Sequence, residues 1–126
     1  MGLIKNQYLF LLPKVDATAN LDEITEELIE QISMLEPFGI GNPQPIIKCN
    51  DLEVLKTQKM GTDQQHVKLD LADKNGLTMQ FLSFNAPESC FVGIGSMVSV
   101  WFQPNINEWR GRRSIEGQIL HIELKA

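Results

Sequence analysis

The residues best suited to chemistry in this 126-residue chain lie together in Asn105-Ile106-Asn107-Glu108-Trp109-Arg110-Gly111-Arg112-Arg113, where three arginines flank a tryptophan. Arginine presents a planar fork of donors that matches phosphate, and an exposed aromatic ring offers a face on which a base can stack. That chemistry is recognition of a single-stranded nucleic acid, with Arg110, Arg112 and Arg113 on phosphates and Trp109 on a base. The same residues admit a second reading. Trp109 can fold back onto the body of the domain while the arginines pair with Glu108, Glu116 and other carboxylates. His66 and Lys68 project from one side of an alternating segment, with Gln80 as a candidate neighbour. They either line a binding face or form the solvated side of a sheet.

No catalytic constellation accompanies these residues. GxGxxG, GxxxxGK[ST] and HExxH are absent, and no Ser-His-Asp arrangement has motif support. Gly39-Ile40-Gly41 is no phosphate loop, because Pro43 blocks the helix that would have to follow it. Cys49 and Cys90 lack a CxxC spacing and are read as two buried or idle thiols. Together with His66 and His121 they fall short of the usual zinc-ligand patterns. The chain is therefore expected to be no enzyme by itself, and to carry no metal or other cofactor.

Composition bounds what can position the basic-aromatic cluster. The length suits one domain, and 43% hydrophobic with 21% charged residues is an ordinary globular make-up. No apolar run approaches the roughly twenty residues of a membrane helix, and residues 9–12 lack the flanks of a signal peptide. Cytoplasmic residence with no membrane partner is the expectation. The net charge of −5 argues against nucleic acid only until it is mapped. Residues 1–45 hold two lysines against seven carboxylates, whereas residues 46–126 hold nine basic against nine acidic residues. A local basic face in the second part stays open.

Three segments follow. Residues 1–16 contain Tyr8-Leu9-Phe10-Leu11-Leu12, which reads as a strand, either the remnant of a preceding domain or a partner of the later sheet. Residues 17–45 hold an amphipathic helix and a connector. Asn20 and Glu23 have capping-box spacing, and Leu21, Ile24, Leu28, Ile32 and Leu35 recur at steps of three and four. Asp22, Glu23, Glu26, Glu27 and Glu30 form its solvated face. The connector Glu36-Pro37-Phe38-Gly39-Ile40-Gly41-Asn42-Pro43-Gln44-Pro45 is rigid, since each proline fixes its own φ and disfavours helix in the residue before it. Phe38 is expected in the core, with Gly39 or Gly41 at positive φ.

Residues 46–126 change to a period of two. A first strand, bent around Asn50-Asp51, leads through a turn at Gly61-Thr62-Asp63 to an alternating second strand at residues 66–71. Asn75-Gly76 predicts a type I′ hairpin into a third strand at 77–84. Residues 85–95 leave room for one helical turn, 97–102 form a fourth strand, 104–111 a loop and 117–124 a fifth strand. Phe81, Trp101 and Phe102 belong to the core. This is a mainly β layout: a five-stranded, OB-fold-like Greek-key barrel preceded by one strand and one amphipathic helix. An SH3-like barrel or a five-stranded sandwich gives a similar pattern.

Leu35-Glu36-Pro37-Phe38-Gly39-Ile40-Gly41-Asn42-Pro43-Gln44-Pro45 resembles the LEPFGxGNPxP signature of RecJ-type single-strand-specific DNA exonucleases. His66-Val67-Lys68-Leu69 is similar to the family's HxKL strand, and Asn107-Glu108-Trp109-Arg110-Gly111 to its N-x-W-x-G loop. The spacing to Gln118, Ile119 and Ile122 fits as well. Gly117 departs from the family's usual aliphatic residue, and Glu116 from its usual Gln. The family's DHH motif, which carries Mn²⁺ or Mg²⁺, belongs to domains N-terminal to this region and does not occur here. The resemblance implies a C-terminal OB-fold region that encloses single-stranded DNA and guides it to the nuclease centre. Its partners would be that DNA and the nuclease domains of the same parent chain, in DNA repair and recombination.

Overall fold

Alternating apolar and polar side chains, the mark of a half-buried sheet, carry residues 47–124 into five strands. The computed structural model describes residues 17–35, 38 and 44–125; the expected strand at 8–12 and the glycines Gly39 and Gly41 lie outside them. A two-residue strand, β1 (Ala17–Thr18), comes first. β2 (Ile47–Met60), β3 (His66–Ala72) and β4 (Thr78–Ser83) form an antiparallel meander. β5 (Met97–Trp109) and β6 (Arg112–Leu124) form a long antiparallel hairpin.

Two pairings close the ring. β6 lies parallel to β4, with Phe81 opposite Gly117, and β5 lies antiparallel to β2, with Ile47 opposite Phe102. The order β2-β3-β4-β6-β5, returning to β2, is the Greek-key barrel of an OB-fold. β1 adds parallel to the start of β2, with Ala17 opposite Ile47, so the described sheet has six strands, five of them forming the barrel as expected. The expected bend in β2 is present. Asp51 has φ 58°, and the register to β5 slips between Cys49 and Leu52.

The barrel interior holds Val54, Val67, Leu69, Phe81, Val98, Val100 and Phe102, all at zero exposure. Phe81 and Phe102 meet edge to face with centroids 4.9 Å apart. Gly117 lies against both: a Cβ there would come within 2.6 Å of Phe81 and 2.8 Å of Phe102. The glycine at this position thus has a packing reason, since two rings occupy the space an aliphatic side chain would fill. Trp101 is buried too, but it turns to the outer side of β5, where the Lys48 ammonium (4.5 Å from the ring centroid) and the His121 ring cover it.

The helix expected from Asn20 is broken in two. Leu21–Glu23 make a 3-10 turn in which the Glu23 carboxylate accepts the Asn20 N–H at 2.8 Å. The chain then restarts at Thr25, whose hydroxyl accepts the Leu28 N–H at 3.1 Å, and α1 (Glu26–Ser33) follows. A capping residue is extended, and two caps five residues apart interrupt what the spacing reads as one helix. Leu21 and Ile24 still enter the barrel core, Leu28 and Ile32 pack against it, and the carboxylates stay exposed. Leu35 falls outside the helix and is half exposed, and Phe38 is half-buried rather than a fully buried anchor.

The turn at Gly61-Thr62-Asp63 lies where it is expected, between β2 and β3, but two other connections of the second half change. At Asn75-Gly76 only the glycine has positive φ, 84°, so the turn is not type I′. The Asp73 carboxylate accepts the N–H groups of Asn75 (2.9 Å) and Leu77 (3.0 Å), which draws the chain into a wider three-residue loop. The expected loop at 104–111 is mostly strand. It ends in a two-residue turn, Arg110-Gly111, with φ of 52° and 79° between the paired residues Trp109 and Arg112. Positive φ at both central residues is the type I′ geometry, here with arginine in the first place.

Candidate nucleic-acid interface

The β5–β6 hairpin lifts the tryptophan off the barrel. Trp109 is 64% exposed, which excludes the reading in which it plugs the core. Strand alternation puts Trp109 and its cross-strand partner Arg112 on one face of the ribbon, and Glu108 and Arg113 on the other. The Arg110 guanidinium lies 4.5 Å from the Trp109 ring centroid, a cation–π contact, and the tryptophan stays largely exposed beside it. Arg113 behaves differently. Its guanidinium meets Glu26 of α1 at 3.0 Å and Glu108 at 3.6 Å. The hydrogen bond to Glu26 and the charges of both carboxylates hold Arg113 still more firmly in its charged form. The internal pairing therefore applies to one arginine of the three.

A second set of polar side chains lies on the outer face of β3 and β4. Lys68 and Gln80 share a shallow hollow with Lys56, Gln58 and Asp70. Lys68 pairs across to Gln58 on one side and Leu82 on the other, and Lys56 sits opposite Asp70. His66 shares the face but not the hollow. Its Nδ1 accepts the Asn85 N–H at 2.9 Å, and its ring meets Phe84 edge to face at 5.4 Å. Parallel pairing of β4 with β6 joins this face to the hairpin, since Gln80 lies opposite Glu116 and Leu82 opposite Gln118. Asn107 Nδ2 donates to the Glu116 carboxylate at 3.3 Å. Phe84, 56% exposed, escapes a reading based on residue type alone. The signal that reveals it is parity: residues 80 and 82 face outward on β4, and Phe84, one residue past its end, continues the same alternation.

The two thiols are inert. Burial pushes Cys49 from its ordinary 9.0 up to about 12, helped by the charges of Glu23 and Asp73, and burial raises Cys90 as well. Among the described residues no three His, Cys, Asp or Glu side chains converge as a metal ion would require. No helix among them is long and apolar enough to cross a membrane.

The sequence model of the RecJ OB domain matches residues 15–121. The chain belongs to that family. Residues of this chain are 31% identical over 102 positions to the single-stranded-DNA-specific exonuclease RecJ of Bacillus subtilis (strain 168), covering 79% of this chain and 13% of that protein. The RecJ of Haemophilus influenzae (strain ATCC 51907 / DSM 11121 / KW20 / Rd) is 26% identical over 110 residues, 86% of this chain and 19% of that protein. The chain thus spans less than a fifth of the length of these relatives, and the region it matches is an OB domain and not a catalytic domain. The fold agrees with the crystal structure of RecJ from Thermus thermophilus in complex with Mn²⁺. That comparison has TM-score 0.58 and 20% identity, over 78% of this chain and 14% of the other. It agrees also with the second single-stranded DNA binding protein of Mycobacterium smegmatis (TM-score 0.53, 18% identity, 64% of this chain and 84% of that chain).

Proposed function

We propose that this OB domain binds single-stranded DNA and guides it to the nuclease domains of a RecJ-like 5′→3′ exonuclease acting in DNA repair and recombination. Trp109 stacks on a base, Arg110 and Arg112 meet phosphates at the hairpin tip, and Lys68 adds a cation on the neighbouring face. Arg113 joins them when phosphate displaces Glu26. The domain itself is non-catalytic and needs no cofactor; the Mn²⁺ or Mg²⁺ of the reaction belongs to the nuclease domains, in a cytoplasmic protein without membrane contact. The observation that carries this reading is the exposed indole with a guanidinium stacked against it.

The test is a titration with oligo-dT at two salt concentrations, read by tryptophan fluorescence. Trp101 is 1% exposed, so a change on binding reports Trp109. Quenching at low salt is expected, with an affinity that falls by about 0.7 logarithmic units per phosphate neutralised for each tenfold rise in salt. A flat titration at low salt and high protein concentration sinks the proposal. One observation favours a second reading, a structural or protein-interaction domain that leaves DNA alone: Arg113 is already engaged by Glu26 and Glu108. Replacing Arg110, Arg112 and Arg113 with Ala in the intact enzyme separates the two. DNA affinity and salt slope both drop under the first reading and stay unchanged under the second.

A further inference from the structure

We infer that Phe84 is a second base-stacking platform for single-stranded DNA, set at the opposite end of the β3–β4 face from the hairpin and held there by His66. The inference rests on the DNA-binding reading above and extends it to a defined track. Phe84 follows directly on β4 and is 56% exposed, whereas Phe81 of β4 and Phe102 of β5 are fully buried.

The ring is braced. His66 meets it edge to face at 5.4 Å with planes 68° apart. Nδ1 of His66 accepts the N–H of Asn85 at 2.9 Å, which ties down the residue after Phe84 in a left-handed conformation (φ 51°). On its other side the imidazole abuts Gly61, where a Cβ would approach Cδ2 to 2.9 Å. A histidine so fixed from three directions is a positioning residue for Phe84. Its Nδ1 is already used as an acceptor, which leaves that nitrogen no donor for phosphate.

Phe84 and Trp109 are connected by the register. Gln80 of β4 lies opposite Glu116 of β6; Arg112 is four residues before Glu116, and Phe84 four residues after Gln80. Because the two strands run parallel, the platforms stand about eight residues apart along the strand direction, about 26 Å at the usual rise. Between them the outward face carries Gln80 and Lys68, with Lys56 opposite Asp70 as a balanced pair. That span fits within the roughly 4–16 nucleotides that one OB-fold holds. A strand stacked at both ends, with its backbone over Lys68, is the arrangement proposed.

The track predicts a dependence on DNA length that a single site lacks. Using the full chain, oligo-dT of four and of twelve nucleotides is titrated against wild type, Phe84→Ala, Trp109→Ala and His66→Ala, by anisotropy of a label on the DNA. Phe84→Ala is expected to weaken the twelve-nucleotide oligomer at least about fivefold, the lower end of one stacking contact, and to leave the ratio of long to short affinities near one. If Phe84→Ala binds both oligomers as wild type does while Trp109→Ala is weakened, DNA binding stands and the second platform is overturned. If neither substitution changes affinity, the DNA-binding reading fails and the track falls with it. The double variant His66→Ala/Phe84→Ala separates positioning from contact: no further loss beyond Phe84→Ala supports a positioning role, and additive losses overturn it. Phe84 is a surface residue, so its variant is expected to melt at the wild-type temperature, which circular dichroism checks.

Discussion

Cys49 illustrates how far one buried group can shape behaviour in solution. Its thiol is 1% exposed, and burial raises it from 9.0 to about 12. Above pH 9 the thiol of the unfolded chain ionises while the folded thiol keeps its proton. The folded state then binds more protons than the unfolded one, so stability is full below pH 9 and is lost as the pH climbs towards 12. One such thiol lowers stability by about 1.4 kcal/mol per pH unit inside that window. Cys49→Ala should therefore flatten the decline in urea midpoint between pH 9 and 11, whatever its effect at pH 7. An unaltered slope in the variant would show that the thiol is not the group responsible. Trp109 and Arg113 make the complementary point about what residue type reveals. Their chemistry is legible as a pair of open readings, yet only three-dimensional placement divides them, leaving the indole free and one guanidinium bound to Glu26.

At the level of elements the hairpin turn is the informative case. An L-residue in the left-handed region costs roughly 1–2 kcal/mol, and asparagine or glycine suits the first position of a type I′ turn best. Arg110 holds that position at φ 52° with its guanidinium over Trp109. A strained residue that also completes a recognition surface is what a functional compromise looks like. Arg110→Asn is therefore expected to raise stability by about 0.5–1 kcal/mol, read by urea unfolding, while weakening oligo-dT binding. A variant that gains stability and binds DNA as well as before would remove Arg110 from the interface. The strands at 66–71 and 77–84 and the bend at Asn50-Asp51 are legible because alternation and local polarity record them. The turn types are not, because Asp73 competes for the amides of its own loop and register fixes Arg110 at the tip. The split of the N-terminal helix escapes for a related reason: Asn20 and Thr25 are both good caps, and periodicity alone cannot say that both are used.

Across the molecule, the acidic helix α1 meets the basic hairpin through the Glu26–Arg113 ion pair. Residues 1–45 carry the whole net charge of −5, and Glu26 of α1 reaches Arg113 near the tip of the ribbon. This contact is solvent-exposed and so is readily screened, which lets phosphate compete for Arg113. Neutralising the exposed Glu27 and Glu30 to Gln should speed association with oligo-dT at low salt and have little effect near 0.5 M salt. Stopped-flow fluorescence at the two ionic strengths checks it, and equal acceleration at both would rule out a field effect. The barrel as a class is readable from strand count and spacing. Its closure is not, because the parallel contact of β4 with β6 involves residues far apart in sequence and leaves no local trace. The same long ribbon has a kinetic meaning. Strands β5 and β6 pair from Trp109–Arg112 back to Val98–Leu124 around a two-residue turn, so the hairpin can zip in microseconds from its tip. Joining β6 to β4 and β5 to β2 must then close loops of some thirty to fifty residues, and that search, not the making of the ribbon, sets the pace at which the chain folds.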